Sequence, residues 1–420
     1  MSIEQKRIYV YSNWGNELPM LVGMLYAYHN RGNELFSFEY NNEWIHSCSQ
    51  SLLFDPDLSF YEGRQYVPQN KTLFGVFTDS CPDRWGRLLL NRKETLQAKK
   101  EGRKPRALTE SDYLLGVYDI TRMGALRFAL QKDGPFLESD THYTVPTWVT
   151  LRTLESASMA FEKNDDGQDE KWLSQLLAPG SSLGGARPKA SVSAPDGSLW
   201  IAKFPSLHDE WNIGAWEMVA HDLAMMCGLS VPEAKLANYS NAGSTFLVKR
   251  FDRDNTSRIH FSSAMTMLGK VEGYDIENIS YLNLASFIKS NGCSPKKDLF
   301  ELWKRIVFNI AISNNDDHLR NHGFLLTSLG WRLSPLFDVN PNIYGNTLSL
   351  NINKNDNTIN FDLALETAKY YNITLLNATK VITNIKEIVE NKWRSLAAKH
   401  GLAKNAINQM EPAFTMEYKQ

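Results

Sequence analysis

Apolar side chains recur at helical spacing in the second half of the chain. From about residue 283 onward this periodicity dominates, which predicts a mainly helical C-terminal part. One apolar stripe has the three- and four-residue spacing of a helix face: Ile213, Trp216, Val219, Ala220 and Leu223. A second stripe has the same spacing: Leu299, Leu302, Trp303, Ile306, Val307 and Ile310. We therefore predict helices near 213–223 and 299–310.

Two extended runs with a turn between them predict a β-hairpin. Residues 190–194 (ASVSA) alternate between apolar and polar side chains, and 199–204 (LWIAKF) form the second run. The intervening PDGS at 195–198 is typical of a tight turn. Lys203 shares a strand face with Leu199 and Ile201, which predicts an inward-pointing ammonium. Because such a lysine needs an anion, we expect a phosphate or a carboxylate beside it.

The first half of the chain combines short strands with helices. Strand patterns occur at 35–40 (LFSFEY) and 124–130 (GALRFAL), and helical patterns at 83–100 and 149–161. The acidic run 162–170 indicates a solvated linker. These breaks predict three parts: an N-terminal α/β subdomain at 1–145, a β-rich part at 146–255 and a mainly helical part at 256–420.

The polar segment SNNDDHLRNHG at 313–323 carries the first candidate chemistry. Asp316 and Asn321 stand five positions apart, and Asp338 follows an aromatic residue further along. This spacing is typical of a phosphoryl-transfer site, in which the first aspartate accepts a hydroxyl proton while the asparagine and second aspartate bind Mg²⁺. Taken alone, these residues could equally belong to a polar surface loop.

Residues that could bind phosphate precede this segment in the order of a kinase. GSSLGGARPK at 180–189 is a small-residue loop whose backbone N–H groups can close over phosphates. Lys203 follows on the predicted strand, and Glu217 lies on the helix predicted near 213–223. A helix glutamate orients the strand lysine in protein kinases, and Glu217 can do the same for Lys203.

Each of these features also has a plain structural explanation. A glycine-rich stretch is usually an ordinary connection, Lys203 can be an edge residue that reaches solvent, and Glu217 can be an exposed helix residue. What favours a nucleotide-dependent phosphotransferase is the order in which the Gly-rich loop, lysine, glutamate, aspartate, asparagine and second aspartate occur.

The motifs that carry this order resemble those of the HipA family, the kinase toxins of bacterial toxin–antitoxin pairs. Five of them lie beyond residue 180: SLGGARPK (182–189), IAKFP (201–205), VKRFD (248–252), NDDHLRN (315–321) and PLFD (335–338). DSCPDRWGR (79–87) and DYLLG (112–116) extend the resemblance into the N-terminal part. The resemblance therefore covers most of the chain.

The resemblance implies an ATP- and Mg²⁺-dependent serine/threonine protein kinase. Its expected fold is α+β, an atypical kinase-like two-lobed fold with a β-rich small lobe, a mainly helical large lobe and an N-terminal α/β subdomain. Asp316 would be the catalytic base, and Asn321 and Asp338 the Mg²⁺ ligands, with Glu217 beside the phosphate-binding lysine. The residues implied to contact ATP are Gly184, Gly185, Ala186, Arg187, Lys189, Lys203, Lys249, Phe251, His318 and Phe337.

Family members phosphorylate a serine of their own Gly-rich loop, which disables the enzyme. The matching position is Ser182, with Ser181 beside it. Asp317 departs from some relatives, which carry glycine there, and it offers a second candidate base. Only Asp316 stands five positions before Asn321, so we predict that Asp316 is the base.

The resemblance also implies partners. These are a small DNA-binding, HipB-like antitoxin, operator DNA through the antitoxin complex, and a protein substrate. Relatives act on translation components, notably aminoacyl-tRNA synthetases, but no residue pattern names the substrate of this chain. Residues 84–106 collect nine basic side chains against two acidic ones, which could contact a nucleic-acid backbone or simply form a solvated face.

Composition narrows the setting without choosing a function. A net charge of −2 over 420 residues gives no global attraction to nucleic acid or anionic membranes. The four cysteines are far apart and form no CxxC pair, so neither a zinc ribbon nor a disulfide framework is indicated. The N-terminal residues lack the apolar core of a signal peptide, and no stretch of sequence approaches a membrane span. We therefore expect a cytoplasmic protein.

Two alternative functions use the same residues. His318 and His322 stand four positions apart beside two aspartates, an arrangement that could bind a transition metal in a phosphohydrolase. That alternative leaves the Gly-rich loop, Lys203 and Glu217 unexplained. The second alternative is an inactive nucleotide-binding scaffold, which the presence of every expected polar group disfavours.

Overall fold

The chain forms two compact units that both combine helices with strands. The computed structural model describes residues 5–14, 18–30, 33–47, 53–137, 145–163, 176, 185–254, 257–273 and 279–419. Unit 1 contains Met1–Leu207 and Arg250–Ser262, and unit 2 contains His208–Lys249 and Ser263–Gln420. The predicted division into 1–145, 146–255 and 256–420 stays a prediction.

An antiparallel five-stranded sheet organises the N-terminal part of unit 1. In the spatial order β4-β3-β2-β1-β5, its strands are β1 (Gln5–Ser12), β2 (Met20–Asn30), β3 (Asn33–Tyr40), β4 (Arg64–Tyr66) and β5 (Leu126–Ala129). Phe36, Phe38 and Tyr40 alternate along β3 and belong to the hydrophobic core, as a strand with one buried face requires. The strand predicted at 35–40 lies within β3, and the one predicted at 124–130 contains β5.

Along the chain, helices lie between these strands or follow them. Those of unit 1 with described bounds are α1 (Asn42–Ser47), α2 (Gly75–Thr78), α3 (Arg84–Lys100), α4 (Glu110–Leu115) and α5 (Leu151–Glu162), with 3-10 turns at Asp119–Thr121 and Trp148–Thr150. Helix α3 begins after Asp83, whose side chain accepts a hydrogen bond from the Gly86 N–H at 2.7 Å. Helix α5 buries Leu151, Leu154 and Ala157. The helices predicted at 83–100 and 149–161 are confirmed.

The predicted hairpin is formed by β6 (Lys189–Ser193) and β7 (Leu199–Lys203) in unit 1. Its turn is closed by the Gly197 N–H, which donates to the Ala194 carbonyl at 2.9 Å. Gly197 adopts a φ of 83°, a left-handed conformation that costs glycine little. The PDGS sequence therefore makes the turn that it predicts.

The prediction that Lys203 lies on the buried face of its strand is wrong. Trp200 and Ala202 take that face, with 2% and 0% of their surface exposed. Lys203 lies on the opposite face with Leu199 and Ile201, and all three are half-buried. Alternation shows which residues share a face, but it does not show which face the rest of the protein covers.

Unit 1 is completed by the segment Arg250–Ser262. This segment contains the antiparallel strand pair Arg253–Asp254 and Ser257–Arg258 and leads into the strand Phe261–Ser263. The rings of Phe251 and Phe261 lie 6.1 Å apart, so the segment has an apolar contact of its own.

Unit 2 is mainly helical, as predicted for the C-terminal part. Its helices are α6 (Ile213–Met226), α7 (Ala264–Met267), α8 (Tyr281–Asn291), α9 (Pro295–Ile312), α10 (Phe361–Thr367), α11 (Leu375–Lys399) and α12 (Lys404–Phe414), with 3-10 turns at Leu319–Asn321, Ala368–Tyr371 and Glu417–Lys419. Its strands pair as the hairpins β8 (Ala234–Ser240) with β9 (Gly243–Lys249) and β10 (Gly323–Thr327) with β11 (Gly330–Leu333). The helix predicted at 213–223 lies within α6.

Helix α9 is the buried helix that leads into the candidate catalytic loop. Pro295 occupies its first turn, where the missing N–H costs nothing. The residues of the predicted stripe are all 0% exposed: Leu299, Leu302, Trp303, Ile306, Val307 and Ile310. The stripe prediction is confirmed, and the burial holds the C-terminus of α9 in place.

Among the helices in the described ranges, none has the length and apolar character needed to cross a membrane.

Candidate active site

The candidate catalytic loop begins where α9 ends, at Ser313. Ser313 adopts a left-handed conformation with φ 52°, which stops the helix, and its hydroxyl donates to the Ala413 carbonyl at 3.1 Å. The next side chain, Asn314, is 1% exposed and donates to the Asn309 side-chain oxygen at 3.0 Å. The start of the loop is therefore fixed to both α9 and α12.

Asp316 has its side chain exposed while its backbone is held. Its carbonyl accepts hydrogen bonds from the His318 N–H and the Asn321 side-chain amide, both at 2.9 Å. The pKa of the Asp316 carboxyl is raised, mainly by desolvation and further by the negative charges of Asp338 and Asp317, while His318 opposes the shift. Asp316 is thus an accessible carboxyl of increased basicity, which suits a proton acceptor.

Asn321 is placed by the 3-10 turn Leu319–Asn321 and is 4% exposed. Its Nδ2 is engaged by the Asp316 carbonyl, at 2.9 Å. That bond leaves the amide oxygen as the group able to face a cation, and Mg²⁺ prefers such hard oxygen donors. The five-residue spacing noted in the sequence therefore closes as one short turn.

Asp338 stands in an unusual backbone conformation, with φ 58°. Aspartate tolerates this left-handed region better than most residues do. A non-glycine residue in this conformation is nevertheless uncommon, and such residues cluster at functional sites. The segment is anchored next to it, because Leu336 is 2% exposed and its N–H donates to the Ser230 carbonyl at 2.7 Å. Phe337 and Asp338 are both half-buried.

Burial distinguishes Asp317 from Asp316 as a candidate base. Its side chain is 0% exposed, and its Oδ2 accepts hydrogen bonds from the Tyr281 hydroxyl at 2.6 Å and the Asn309 amide at 2.7 Å. The Nε2 of His322 lies 2.9 Å from the same oxygen. A carboxylate enclosed in this way cannot meet a substrate hydroxyl, so the geometry favours Asp316.

The residues that hold Asp317 were not found from the sequence. Tyr281 precedes Asp317 by 36 positions, and Asn309 lies inside an apolar helix stripe, where an amide carries no signal of its own. In the sequence, His322 has a signal only as half of a possible metal-binding pair with His318. A buried tyrosine, asparagine and histidine become a set only when the fold brings them to one carboxylate.

A second set of contacts supports the outer side of the loop. Asn315 accepts a hydrogen bond from the Asn342 side chain at 2.8 Å and donates to the Tyr344 carbonyl. The Ser349 hydroxyl donates to the Asn315 carbonyl at 2.7 Å. The loop 313–322 is therefore tied to residues 342–349, which follow Asp338 in sequence.

In unit 1, the end of the Gly-rich loop is held by α3. Gly185 has φ 89° and accepts a hydrogen bond from the Trp85 N–H at 3.4 Å. A Cβ added at Gly185 would lie 3.0 Å from the ammonium of Lys189, and a φ of 89° would strain a residue other than glycine. That ammonium is buried and lies 3.1 Å from the Asp83 carboxylate. The predicted contact of Lys189 with ATP stays a prediction, and in this conformation Asp83 is its partner.

Ala186 and Arg187 follow Gly185 in sequence and precede β6. Arg187 is half-buried and donates to the Phe204 carbonyl at 3.3 Å, whereas Ala186 is exposed. The other predicted residues of this loop, Ser181, Ser182 and Gly184, lie outside the described residues.

The VKRFD motif contains buried polar residues that anchor the segment as well as Phe251, a predicted ATP contact. Arg250 is buried and donates to the carbonyl oxygens of Thr121 at 2.6 Å and Arg122 at 3.1 Å. Asp252 accepts hydrogen bonds from Arg250 and from the Gly124 N–H, at 2.8 and 2.7 Å. Within unit 1 these contacts fix the backbone around Phe251, which is half-buried.

Two further predicted residues belong to unit 2. Lys249 ends β9, where its N–H donates to the Glu233 carbonyl at 2.8 Å. Glu217 is only 5% exposed in the middle of α6, so it is not an ordinary solvated helix residue. A carboxylate buried to this extent requires polar partners, as the prediction for Glu217 assumes.

The residues of the loop fit a divalent cation bound with phosphate. Asn321 and Asp338 supply the amide and carboxylate oxygens that Mg²⁺ takes. The mutual repulsion of Asp316 and Asp338, which raises the pKa of Asp316, is the kind of electrostatic cost that a cation relieves. The Nδ1 of His318 is also buried without a hydrogen-bond partner among the described residues, which fits a polar ligand atom.

The arrangement does not favour a transition-metal hydrolase. His322 is 0% exposed and its Nε2 is engaged by Asp317, so it does not share a site with His318. Within the described ranges, no group of three or more histidine, cysteine, aspartate or glutamate side chains is arranged to hold a metal ion.

The basic residues of 84–106 are only partly available. Three of them are paired with acids: Arg87 with Glu110 at 2.7 Å, Arg103 with Glu94 at 2.5 Å and Arg106 with Asp112 at 2.5 Å. Lys93, Lys99, Lys100 and Lys104 are exposed. At least three of the nine cations therefore have an acidic partner that would compete with a nucleic-acid backbone.

The sequence profile of the HipA-like C-terminal domain family matches residues 181–400. A curated relative from Haemophilus influenzae, named as a candidate kinase, is 28% identical over 194 residues, or 40% of this chain and 56% of that protein. The candidate kinase Y4dM of Sinorhizobium fredii is 25% identical over 155 residues, or 34% of this chain and 37% of that protein. The chain thus spans about half, or less, of the length of these relatives.

Among solved structures, the chain is similar to HipA of Shewanella oneidensis MR-1, determined in a complex with HipB and operator DNA. The TM-score is 0.66 at 16% identity, covering 97% of this chain and 95% of that chain. At this identity the match shows the fold alone, and it confirms the predicted α+β fold of the HipA type. Because the family profile covers more than half of the 420 residues, the chain belongs to the family of proteins with a HipA-like C-terminal domain.

Proposed function

We propose that this chain is an ATP- and Mg²⁺-dependent serine/threonine protein kinase and the toxin of a toxin–antitoxin pair. The observation that carries the proposal is the loop after α9, where the exposed Asp316 carboxyl stands beside Asn321 and in the electrostatic field of Asp338. A base, an amide oxygen and a second carboxylate are the groups that phosphoryl transfer requires. Membership of the HipA-like family supports the same activity.

In this proposal Asp316 accepts the proton of the attacking serine or threonine hydroxyl. Asn321 and Asp338 hold the cation with their oxygens. When bound, Mg²⁺ and ATP supply the transferred phosphoryl group and the charge that offsets its developing negative charge. Lys203 and Glu217 keep their predicted roles at the phosphates. The remaining proposed nucleotide contacts are Gly184, Gly185, Ala186, Arg187, Lys189, Lys249, Phe251, His318 and Phe337.

The proposal is tested by transfer of labelled phosphate from ATP to proteins of a cell lysate. The Asp316→Asn variant should lose transfer by at least about a hundredfold while retaining Mg²⁺-ATP binding, because only the proton acceptor is lost. Binding of Mg²⁺-ATP is measured separately by calorimetry. Undiminished transfer by Asp316→Asn would remove the assignment of the base. Absence of both ATP binding and transfer in the unaltered protein would contradict the kinase proposal itself.

The partners follow from family resemblance and from what was solved with the Shewanella protein. We propose that a small DNA-binding, HipB-like antitoxin restrains this chain and that an aminoacyl-tRNA synthetase is its class of substrate. Two of the exposed lysines of α3, Lys99 and Lys100, would add phosphate contacts to operator DNA in the complex. Replacing both lysines by glutamine should then reduce the salt dependence of operator binding by the complex. An unchanged salt dependence would mean that α3 is a solvated surface without phosphate contacts.

Self-inactivation at the Gly-rich loop completes the proposal. A phosphate on Ser182, or on Ser181, adds nearly two negative charges where the phosphates of ATP would bind, so the modified protein should bind ATP poorly. Mass spectrometry should find this phosphate on protein expressed in active form and not on the Asp316→Asn variant. Equal phosphorylation of both proteins would show that another kinase installs it.

A further inference from the structure

The aspartate that follows the candidate base occupies the centre of a buried hydrogen-bond network. Asp317 Oδ2 accepts from Tyr281 at the start of α8 and from Asn309 in α9, and it meets His322 just before β10. Three elements of unit 2 therefore converge on one oxygen of this carboxylate. All four side chains are 0% exposed.

The network extends to the start of the loop. Asn309 bridges two loop residues, because its amide donates to Asp317 at 2.7 Å while its oxygen accepts from Asn314 at 3.0 Å. The His322 carbonyl accepts a hydrogen bond from the Ala264 N–H at 2.9 Å. The loop is consequently fixed from inside at Asn314, Asp317 and His322.

This inward fixation determines the direction of the neighbouring side chain. Asp316 lies in a turn directly before Asp317, and its carbonyl accepts hydrogen bonds from the His318 N–H and the Asn321 side-chain amide, both at 2.9 Å. With Asp317 directed into the core, Asp316 is directed to solvent, and its carboxyl is exposed. A hydrophobic residue at position 317 would give burial, but it would not fix the loop through three directional hydrogen bonds.

We propose that Asp317 is the positioning residue of the catalytic loop, holding the Asp316 carboxylate outward, toward the substrate hydroxyl, through Tyr281, Asn309 and His322. The inference rests on the proposed kinase function for its catalytic consequence. Its structural consequence, a loop fixed from inside, does not depend on that function. Proton transfer is sensitive to the placement of the base, so a loosened loop should lower kcat more than it alters ATP binding.

Asp317→Asn is the principal test, because asparagine can keep an oxygen at the Oδ2 position while it removes the charge and places an amide nitrogen at the Oδ1 position. The expected result is a kcat at least about tenfold lower, with the KM for ATP and the Kd for Mg²⁺-ATP within about threefold of the unaltered protein. Hydrogen exchange of the peptide 313–323 should be faster. An unchanged kcat, or unchanged exchange in this peptide, would overturn the inference.

Asp298→Asn is the matched control for burial of a carboxylate. Asp298 is 3% exposed in the first turn of α9 and accepts hydrogen bonds from Arg332 and the Leu333 N–H, at the end of the helix opposite the loop. Its substitution should leave kcat and the exchange of 313–323 unchanged. Equal losses in Asp298→Asn and Asp317→Asn would show a general effect of destabilisation and would also overturn the inference.

A milder pair of variants serves where Asp317→Asn does not fold. Tyr281→Phe removes one donor to Asp317, and kcat should fall about three- to tenfold with an unchanged KM for ATP. Tyr371→Phe is its control, because Tyr371 is 1% exposed and its hydroxyl has no hydrogen-bond partner among the described residues. Identical kcat values and exchange rates in these two variants would reject the positioning role.

Failure of the kinase proposal gives a different result. If the unaltered protein transfers no phosphate, the kinase proposal is contradicted. Hydrogen exchange of the peptide 313–323 then still tests whether Asp317 fixes the loop.

Discussion

Two adjacent aspartates show how surroundings divide one chemical group into two roles. Asp316 is exposed, and its pKa is raised by desolvation and by neighbouring carboxylates, so it suits proton transfer. Asp317 is enclosed by three polar side chains, which stabilise a buried carboxylate but keep it from any substrate. The five-residue spacing to Asn321 favours Asp316 in the sequence, and burial gives a physical reason why Asp317 does not take that role.

Asp338 combines a predicted metal-binding carboxylate with a left-handed backbone, and the two properties can be separated by mutation. Asp338→Gly removes the carboxylate and suits φ 58°, whereas Asp338→Ala removes the carboxylate and adds strain of about 1–2 kcal/mol. Both variants should bind Mg²⁺-ATP at least about tenfold more weakly. Only the alanine variant should unfold at lower urea concentration. Wild-type affinity in the glycine variant would show that the carboxylate is not a ligand.

Lys419 is a buried ammonium whose effect on stability should depend on pH. It is 4% exposed and donates to the carbonyl oxygens of Ala311 at 2.9 Å and Ala413 at 2.6 Å, and burial lowers its pKa to about 7. The unfolded chain, with a lysine pKa of about 10.4, binds more protons between these values. Stability should therefore rise with pH from about 7 to 10, and the full cost of burying the charge is present below pH 7.

The Lys419→Met variant tests this dependence. Free energies of unfolding from urea titrations should show a flatter pH dependence between pH 7 and 10 than in the unaltered protein. Lys404→Met, at an exposed position of α12, should keep the original slope. Parallel curves for all three proteins would show that Lys419 does not lose its proton in the folded state.

At the scale of elements, sequence periodicity located most helices and strands because their burial is one-sided. Helix α9 is an example, since its apolar stripe is fully buried and its last turn delivers the predicted loop. The pattern of β7 was less informative, because it alternates between two apolar faces and does not reveal that Trp200 takes the covered one. Contacts between distant positions, such as Lys189 with Asp83, leave no periodic signal at all.

The side chains of Asp83, which caps α3, and Lys189, which begins β6, should be energetically coupled. The Lys189 ammonium and the Asp83 carboxylate are 3% and 4% exposed and lie 3.1 Å apart, so removing either partner leaves a buried charge. Asp83→Asn keeps an oxygen for the helix cap, and Lys189→Met keeps the aliphatic volume. Each single variant should lose about 3–5 kcal/mol of stability. The double variant should lose clearly less than the sum, as measured by a double-mutant cycle in urea; additive losses would mean that the pair does not interact.

At the scale of the whole molecule, the chain enters unit 1 twice. Residues 250–262 belong to unit 1, although the residues before and after them belong to unit 2. The matched family region, 181–400, likewise includes parts of both units. A sequence-based division into consecutive parts cannot represent this arrangement, because it assigns each residue by its neighbours along the chain.

Unit 1 should consequently depend on residues 250–262 for its stability. This segment supplies Arg250 to two buried carbonyl oxygens and Asp252 to the Gly124 N–H, and each buried polar group left without its partner costs about 1–3 kcal/mol. A fragment of residues 1–207 should therefore melt at least about 10 °C below the same fragment joined through a long flexible linker to residues 250–262. Adding Arg250→Ala and Asp252→Ala to the joined fragment should remove most of that difference. Equal melting temperatures for the short and joined fragments, followed by circular dichroism, would show that unit 1 folds without the returning segment.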